Sequence, residues 1–251
     1  MGEYPQDTAN IGPPWAIPII TMVTISASGG IFAGALLSHS RSLSLLSLVL
    51  STATLFIGLS FAMMFMTVFF MRIYLHGPLE HRTVLTTFAA LTPIGQGGYS
   101  MLLNGKYLAD LLPDTINKGP FVGDVLFSLC FSGAYILWCM GILWITISCF
   151  SVIRHGLFNL PPFNMSYWGL IVPNGAFSLL TIELAQAMDS SIFRVFGMVW
   201  AFMTLALWAA VFVRTASGVV DGSAVKLTAL PVTKDCVEEL PDPEKATLVN
   251  G

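Results

Sequence analysis

The sequence predicts an all-α, polytopic membrane protein with about six transmembrane helices arranged as three hairpins. Two observations predict it. The first is composition: hydrophobic residues make up 55% of the chain and charged ones 10%, with a mean hydropathy of +0.77, whereas soluble domains carry about 25% charged residues. The second is a repeat, because three pairs of apolar segments recur at intervals of roughly 70 to 80 residues. In each pair the first segment is broken by Pro, Gly and hydroxyl residues, and the second is plainly apolar. A helix needs about 20 apolar residues to cross the hydrocarbon layer, while barrel strands are about 10 residues long with alternating polarity. Helices follow.

The segment 1–12 is polar and acidic where a cleavable signal would be basic and then apolar, so insertion is expected to use the spans themselves. The transmembrane domain is placed at 13–218. The first broken span, 13–37, reads PPWAIPIITMVTISASGGIFAGALL, with Thr21, Thr24 and Ser28 on one helical face. Residues 43–75 form the first apolar partner, about 33 residues or roughly 50 Å of helix, long enough to tilt or project from the bilayer. Ser47, Ser51, Thr54 and Gly58 give it a small packing face; Phe61, Phe65, Phe69 and Phe70 suit lipid. The second pair is 84–112 and 123–153, and the third is 165–188 and 192–216. Cys130, Cys139 and Cys149 lie within one apolar span, and with Cys236 they show no metal or disulfide spacing, so they read as packing residues. The tail 219–251 is Pro-rich and acidic, cannot bury a core, and is expected to be disordered.

Six spans put both termini on one side. That side carries Arg72, Arg82, Arg154, Arg214 and Lys226 near span ends against Arg41, Lys106, Lys118 and Arg194 opposite, an excess that favours cytoplasmic termini. Trp15, Tyr167 and Trp168 read as interfacial anchors.

The broken spans carry the chemistry. Thr92, Gln96, Ser100 and Asn104 recur at i, i+4, i+8 and i+12, and Asn174, Ser178 and Thr181 at i, i+4 and i+7. Hydroxyl stripes pack helices together as readily as they line water, but each amide brings two donors and an acceptor that are hard to leave unpartnered in lipid. These seven residues are the candidate pore lining. Pro18, Pro93 and Pro173 each remove a backbone hydrogen bond within a broken span and are expected to kink it. Kinked helices around a shared axis would point helix dipoles inward, a way for neutral walls to attract negative solutes. Without Lys or Arg at mid-span, a small anion would be held weakly and released quickly. Glu183 reads either as an interfacial carboxylate or as a proton-coupling group. A haem enzyme would need histidines facing each other within spans, whereas His39, His76, His81 and His155 lie at or beyond span ends. The expectation is a transporter rather than an enzyme, with no cofactor, no metal and no nucleic-acid partner.

At PPWAIPIITMVTISASGGIFAG, RIYLHGPLEHRTVLTTFAALTPIGQGGYSMLLNG and FNMSYWGLIVPNGAFSLLTIELAQAMDSSIFRVFG the chain resembles the tellurite-resistance/dicarboxylate transporter family, the slow anion channel superfamily. Within it, GQGGYS is most similar to the fungal sulfite efflux pumps. The resemblance implies ten helices in five hairpins, with Pro-kinked odd helices around a pore, a homotrimer with one pore per subunit, and small anions as substrates. Sulfite or hydrogen sulfite efflux across the plasma membrane is the leading expectation. A dicarboxylate (malate) transporter, an anion channel and a non-transporting truncated homologue are the alternatives. The likeness covers the last six of the ten helices, so the chain is expected to supply three of five pore helices, as a truncated form or fragment or together with something else. Family members commonly carry a gating Phe just before the Pro of the penultimate helix. Here that position is Val172, which implies a leakier pore unless Phe177 or Tyr99 fills the space.

Overall fold

The computed structural model describes residues 12–81, 83–115, 121–154 and 163–220. The expected polar segment up to residue 11, the tail beyond Val220, and Arg82, Lys118, His155, Lys226 and Cys236 lie outside the described residues. Two compact units divide the chain, Met1–Ala210 and Val211–Gly251, and of the second only the end of the last helix is described. The first unit holds the site.

All regular structure among the described residues is helical: α1 Ile17–Leu36, α2 Arg41–His76, α3 Leu91–Thr115, α4 Phe121–Arg154, α5 Ile171–Ala187 and α6 Ser191–Val220. The three-hairpin expectation holds in the pairing of α1 with α2 and α3 with α4, while α6 follows α5 after a short turn. Five apolar helices are long enough to cross a membrane, namely α2, α4, α6, and α1 and α5 with their leading turns. The sixth, α3, is 25 residues long but more polar. It is also the central one, packed between α1 and α5.

A short 3-10 segment precedes each broken helix: Pro13–Ala16, Val84–Ala90 and Met165–Leu170. The first packs on the second and the second on the third, so the starts of α1, α3 and α5 share one end of the bundle. The inner helices therefore run parallel and nearly in register. Ser26 meets Ser100, and a Cβ on Gly98 would meet Leu180 Cδ2 at 2.7 Å. Glycine makes that approach possible: a Cβ on Gly95 would lie 2.7 Å from the backbone of Ala176 and Phe177.

The outer helices show why long apolar runs still have a defined seam. In α2 the buried residues Ser44, Leu48, Ser51, Leu55, Gly58, Ala62, Phe65 and Phe69 alternate steps of four and three, the coiled-coil period. Ala134, Leu137, Gly141, Trp144, Ser148 and Ser151 do the same in α4. Remaining positions, such as Phe56, Phe61, Met64, Leu129 and Leu143, are exposed and suited to lipid. Ser40 opens α2 and Gly77, at φ 79°, ends it in the left-handed region that glycine tolerates. On the flank of α4 and α5, Phe193 of α6 meets Trp138 at a tilt, and Phe196 and Trp200 meet Trp138 and Phe177 edge-on.

Candidate functional site

Four polar side chains are buried where α1, α2 and α3 meet: Ser26, Ser51, Ser100 and Asn104, none more than 2% exposed. Ser26 Oγ donates to the Ser51 carbonyl at 2.7 Å and lies 2.6 Å from Ser100 Oγ. Ser51 Oγ bonds back to the Ser26 carbonyl at 2.6 Å and reaches Asn104 Oδ1 at 2.9 Å. The Asn104 amide donates weakly to Ser26 and Ser100 at 3.4 and 3.3 Å. Polar groups in an apolar slab persist when they satisfy one another, and this cluster does so. Gly30 makes room for it, since a Cβ there would sit 2.7 Å from Asn104 Oδ1.

Ser100 and Asn104 are therefore enclosed by their own chain rather than open to a pathway, and Thr92 is buried too. The reason is angular. A four-residue step advances 400°, so Thr92, Gln96, Ser100 and Asn104 drift by about 40° each and sweep about 120° of the helix. The face of α3 left open follows steps of three and four from Gln96 instead: Gln96, Tyr99, Leu103, Lys106 and Asp110, all half-buried or exposed. Its borders are defined by contacts. Leu103 and Tyr107 abut Gly30 and Gly34 of α1, and Tyr99 packs against the cluster of Leu102, Ala134, Leu180 and Leu184 between α3, α4 and α5. The opposite side meets the outer helices, with Gly97 against Leu59 of α2 and Gly105 against Cys130 of α4. The open stripe thus faces away from α2 and α4. The sequence reading took Tyr99 as a possible filler of the gate position and Lys106 as a charge near a span end, not as members of one stripe; their placement from Gln96 in steps of three and four was the available signal.

On α5 the same rotation occurs. Thr181 Oγ1 accepts from Trp138 Nε1 at 3.0 Å, Ser178 bonds the Gly175 carbonyl at 2.8 Å, and Asn174 bonds the Leu170 carbonyl at 2.7 Å. Asn174 also borders an apolar groove of about 500 Å³ with Cys149, Trp200 and Thr204, on the side of α4 and α6. The uncovered residues are Val172 and Leu179, at 55% and 44% exposure, and Gly175, which has nothing within 4 Å of a built Cβ. Half-buried Glu183 and exposed Gln186 continue that stripe.

The three prolines stand at the second or third residue of α1, α3 and α5. A first turn has no use for the proline N–H, so the irregularity lies in the change from 3-10 to α just before each proline, not in a bend within the helix. Val172 occupies the first turn of α5 on the open face. Phe177 cannot fill the gate position, because it is fully buried between Trp138, Gly141 and Trp200. No group of three or more potential metal-ligating side chains occurs among the described residues.

An apolar helical bundle with its most polar helix at the centre, and five helices long and apolar enough to cross a bilayer, has the make-up of an integral membrane domain. The chain belongs to the voltage-dependent anion channel (SLAC1) family, whose pattern matches residues 1–216. It is 25% identical to the sulfite efflux pump of Arthroderma otae over 96% of this chain and 58% of that protein. Its identity to the Saccharomyces cerevisiae sulfite efflux pump is 24%, covering 80% of this chain and 51% of the relative. An uncharacterised transporter of Methanocaldococcus jannaschii is 22% identical over 86% of this chain and 58% of its own. The chain thus spans a little over half the length of the curated relatives it matches. No solved structure matches it significantly.

Proposed function

We propose that this chain exports a small anion, sulfite or hydrogen sulfite, along the open faces of α3 and α5. The observation that carries the reading is the stripe Gln96, Tyr99 and Lys106 on the central helix of an otherwise apolar bundle. An amide, a phenol and an ammonium all donate hydrogen bonds, which gives a small anion partners along this face. The parallel inner helices also place their positive dipole ends together at the side of the 3-10 segments. In this reading Gln96 is the sequence-predicted residue that meets the solute. Ser26, Ser51, Ser100 and Asn104 hold the inner helices at the spacing the path needs, as Thr181 does for α5 against α4 through Trp138. Val172 borders the gate, and Glu183 is the titratable group available for proton coupling.

The similarity to sulfite efflux pumps supports sulfite over malate, and export implies the plasma membrane. The distribution of Arg and Lys supports cytoplasmic termini. A homotrimer fits the extensive exposed apolar surface of α2 and α4. Transport, not catalysis, is the activity proposed. The full chain reconstituted in liposomes should carry sulfite faster than malate or chloride. A preference for malate would transfer the reading to dicarboxylate transport, and the absence of any anion flux would overturn it.

A further inference from the structure

On the open stripe, two ionisable side chains of opposite sign stand near one end. Gly98 lies against Leu180, so Glu183 is level with residue 101 of α3, and Lys106 follows about 7 Å further along the axis. The carboxylate lies in the electrostatic field of Lys106, and Tyr99 lies in that of Glu183. Among the described residues no direct ion pair joins Lys106 to Glu183, so the ammonium keeps donors for a solute. The neighbouring cation is already engaged: Arg194 pairs with Asp189 at 3.1 Å in the turn between α5 and α6.

An anion moving along this face meets a carboxylate that repels it. While that carboxylate is ionised, a positive charge on the same face offsets the repulsion, and Lys106 is the ammonium the stripe supplies. We propose that Lys106 and Glu183 are a coupled charge pair at one mouth of the path, with Lys106 the residue that makes the mouth selective for anions. Asp110, one turn beyond on the same stripe, adds a second negative charge outside the pair and makes the offset by Lys106 more necessary. This deepens the anion-export reading and rests on it.

The test is sulfite flux and reversal potential in liposomes holding the full chain as wild type, K106R, K106Q and the double variant K106Q/E183Q. Lys106 is exposed, so these changes leave the packing intact, and elution as a single species checks it. K106Q should lower sulfite flux about tenfold and move the reversal potential away from the anion equilibrium value, whereas K106R stays within about twofold. The double variant should recover to within about threefold of wild type, since removing the carboxylate removes what Lys106 offsets. Unchanged flux and potential in K106Q, or a double variant as slow as K106Q, overturns the pair while leaving anion export standing. A wild type that passes no anion overturns both.

Discussion

Replacing Gly30 with alanine probes the junction of α1, α2 and α3 directly. The new Cβ would lie 2.7 Å from Asn104 Oδ1 and 3.0 Å from Leu103 Cδ2, where ordinary contact begins near 3.4 Å. Leu103 is half-buried and can turn aside. Asn104 cannot, because Ser51, Ser26 and Ser100 hold its amide. The side chain must break those bonds or α1 must retreat, and overpacking of this kind costs about 1–3 kcal/mol. Asn104→Ala alone forfeits its interhelical hydrogen bonds, at about 0.6 kcal/mol each in a membrane, and leaves a void, for a total of about 1–3 kcal/mol. The two changes should not add: in the N104A background Gly30→Ala meets only the movable Leu103, so its cost falls below about 0.5 kcal/mol. Reversible unfolding of the four proteins in mixed micelles, followed by tryptophan fluorescence, gives the coupling energy. Costs that add to within about 0.5 kcal/mol would refute the tight seating of Asn104 against Gly30.

Three further outcomes follow from the same geometry. Val172→Phe should fold like wild type, because the site is 55% exposed, and should lower anion flux in liposomes; unaltered flux would count against a gate there. Gln96→Leu should reduce flux about tenfold, while Asn174→Ala stays within about twofold because its amide is bonded to the Leu170 carbonyl on the side of α4 and α6; the reverse ranking in the same assay would return the path to the opposite face of α5. Ser148→Ala should cost less than about 0.5 kcal/mol or stabilise, since its buried hydroxyl has no hydrogen-bond partner among the described residues, and a loss above about 1.5 kcal/mol in thermal unfolding would reveal a bond to that oxygen.

How far the site could be read in advance differs residue by residue. Gln96 was legible because an amide within an apolar span demands a partner or water, and the structure leaves it on the open face. Asn104 raised the same demand, but three serine side chains meet it, two of them, Ser26 and Ser51, from other helices. Periodicity shows which residues of one helix share a face and is silent on which neighbour covers that face. Tyr99, named only as a possible gate filler, and Lys106, named only as a span-end charge, were not joined to Gln96 for a related reason: an amphipathic residue on an open face resembles one anchoring a helix end.

The sequence by itself determined the class of protein. Its hydropathy requires lipid and its three repeated pairs give the hairpin plan, while the prolines, read from the sequence as kinks within spans, stand in the structure at the first turns of α1, α3 and α5. These are local properties, set by transfer energy and backbone geometry, and they hold whatever the helices pack against. Only the tertiary structure decided which side of each inner helix remains free. That choice turns on where glycine lets two backbones approach, as at Gly95 and Gly98 with α5 and at Gly30 with Asn104. The rotation of a helix about its own axis is set by contacts between residues roughly 75 to 80 positions apart. No periodicity within one span encodes them, which is why the hydroxyl stripes became the seams and the face beside them stayed open.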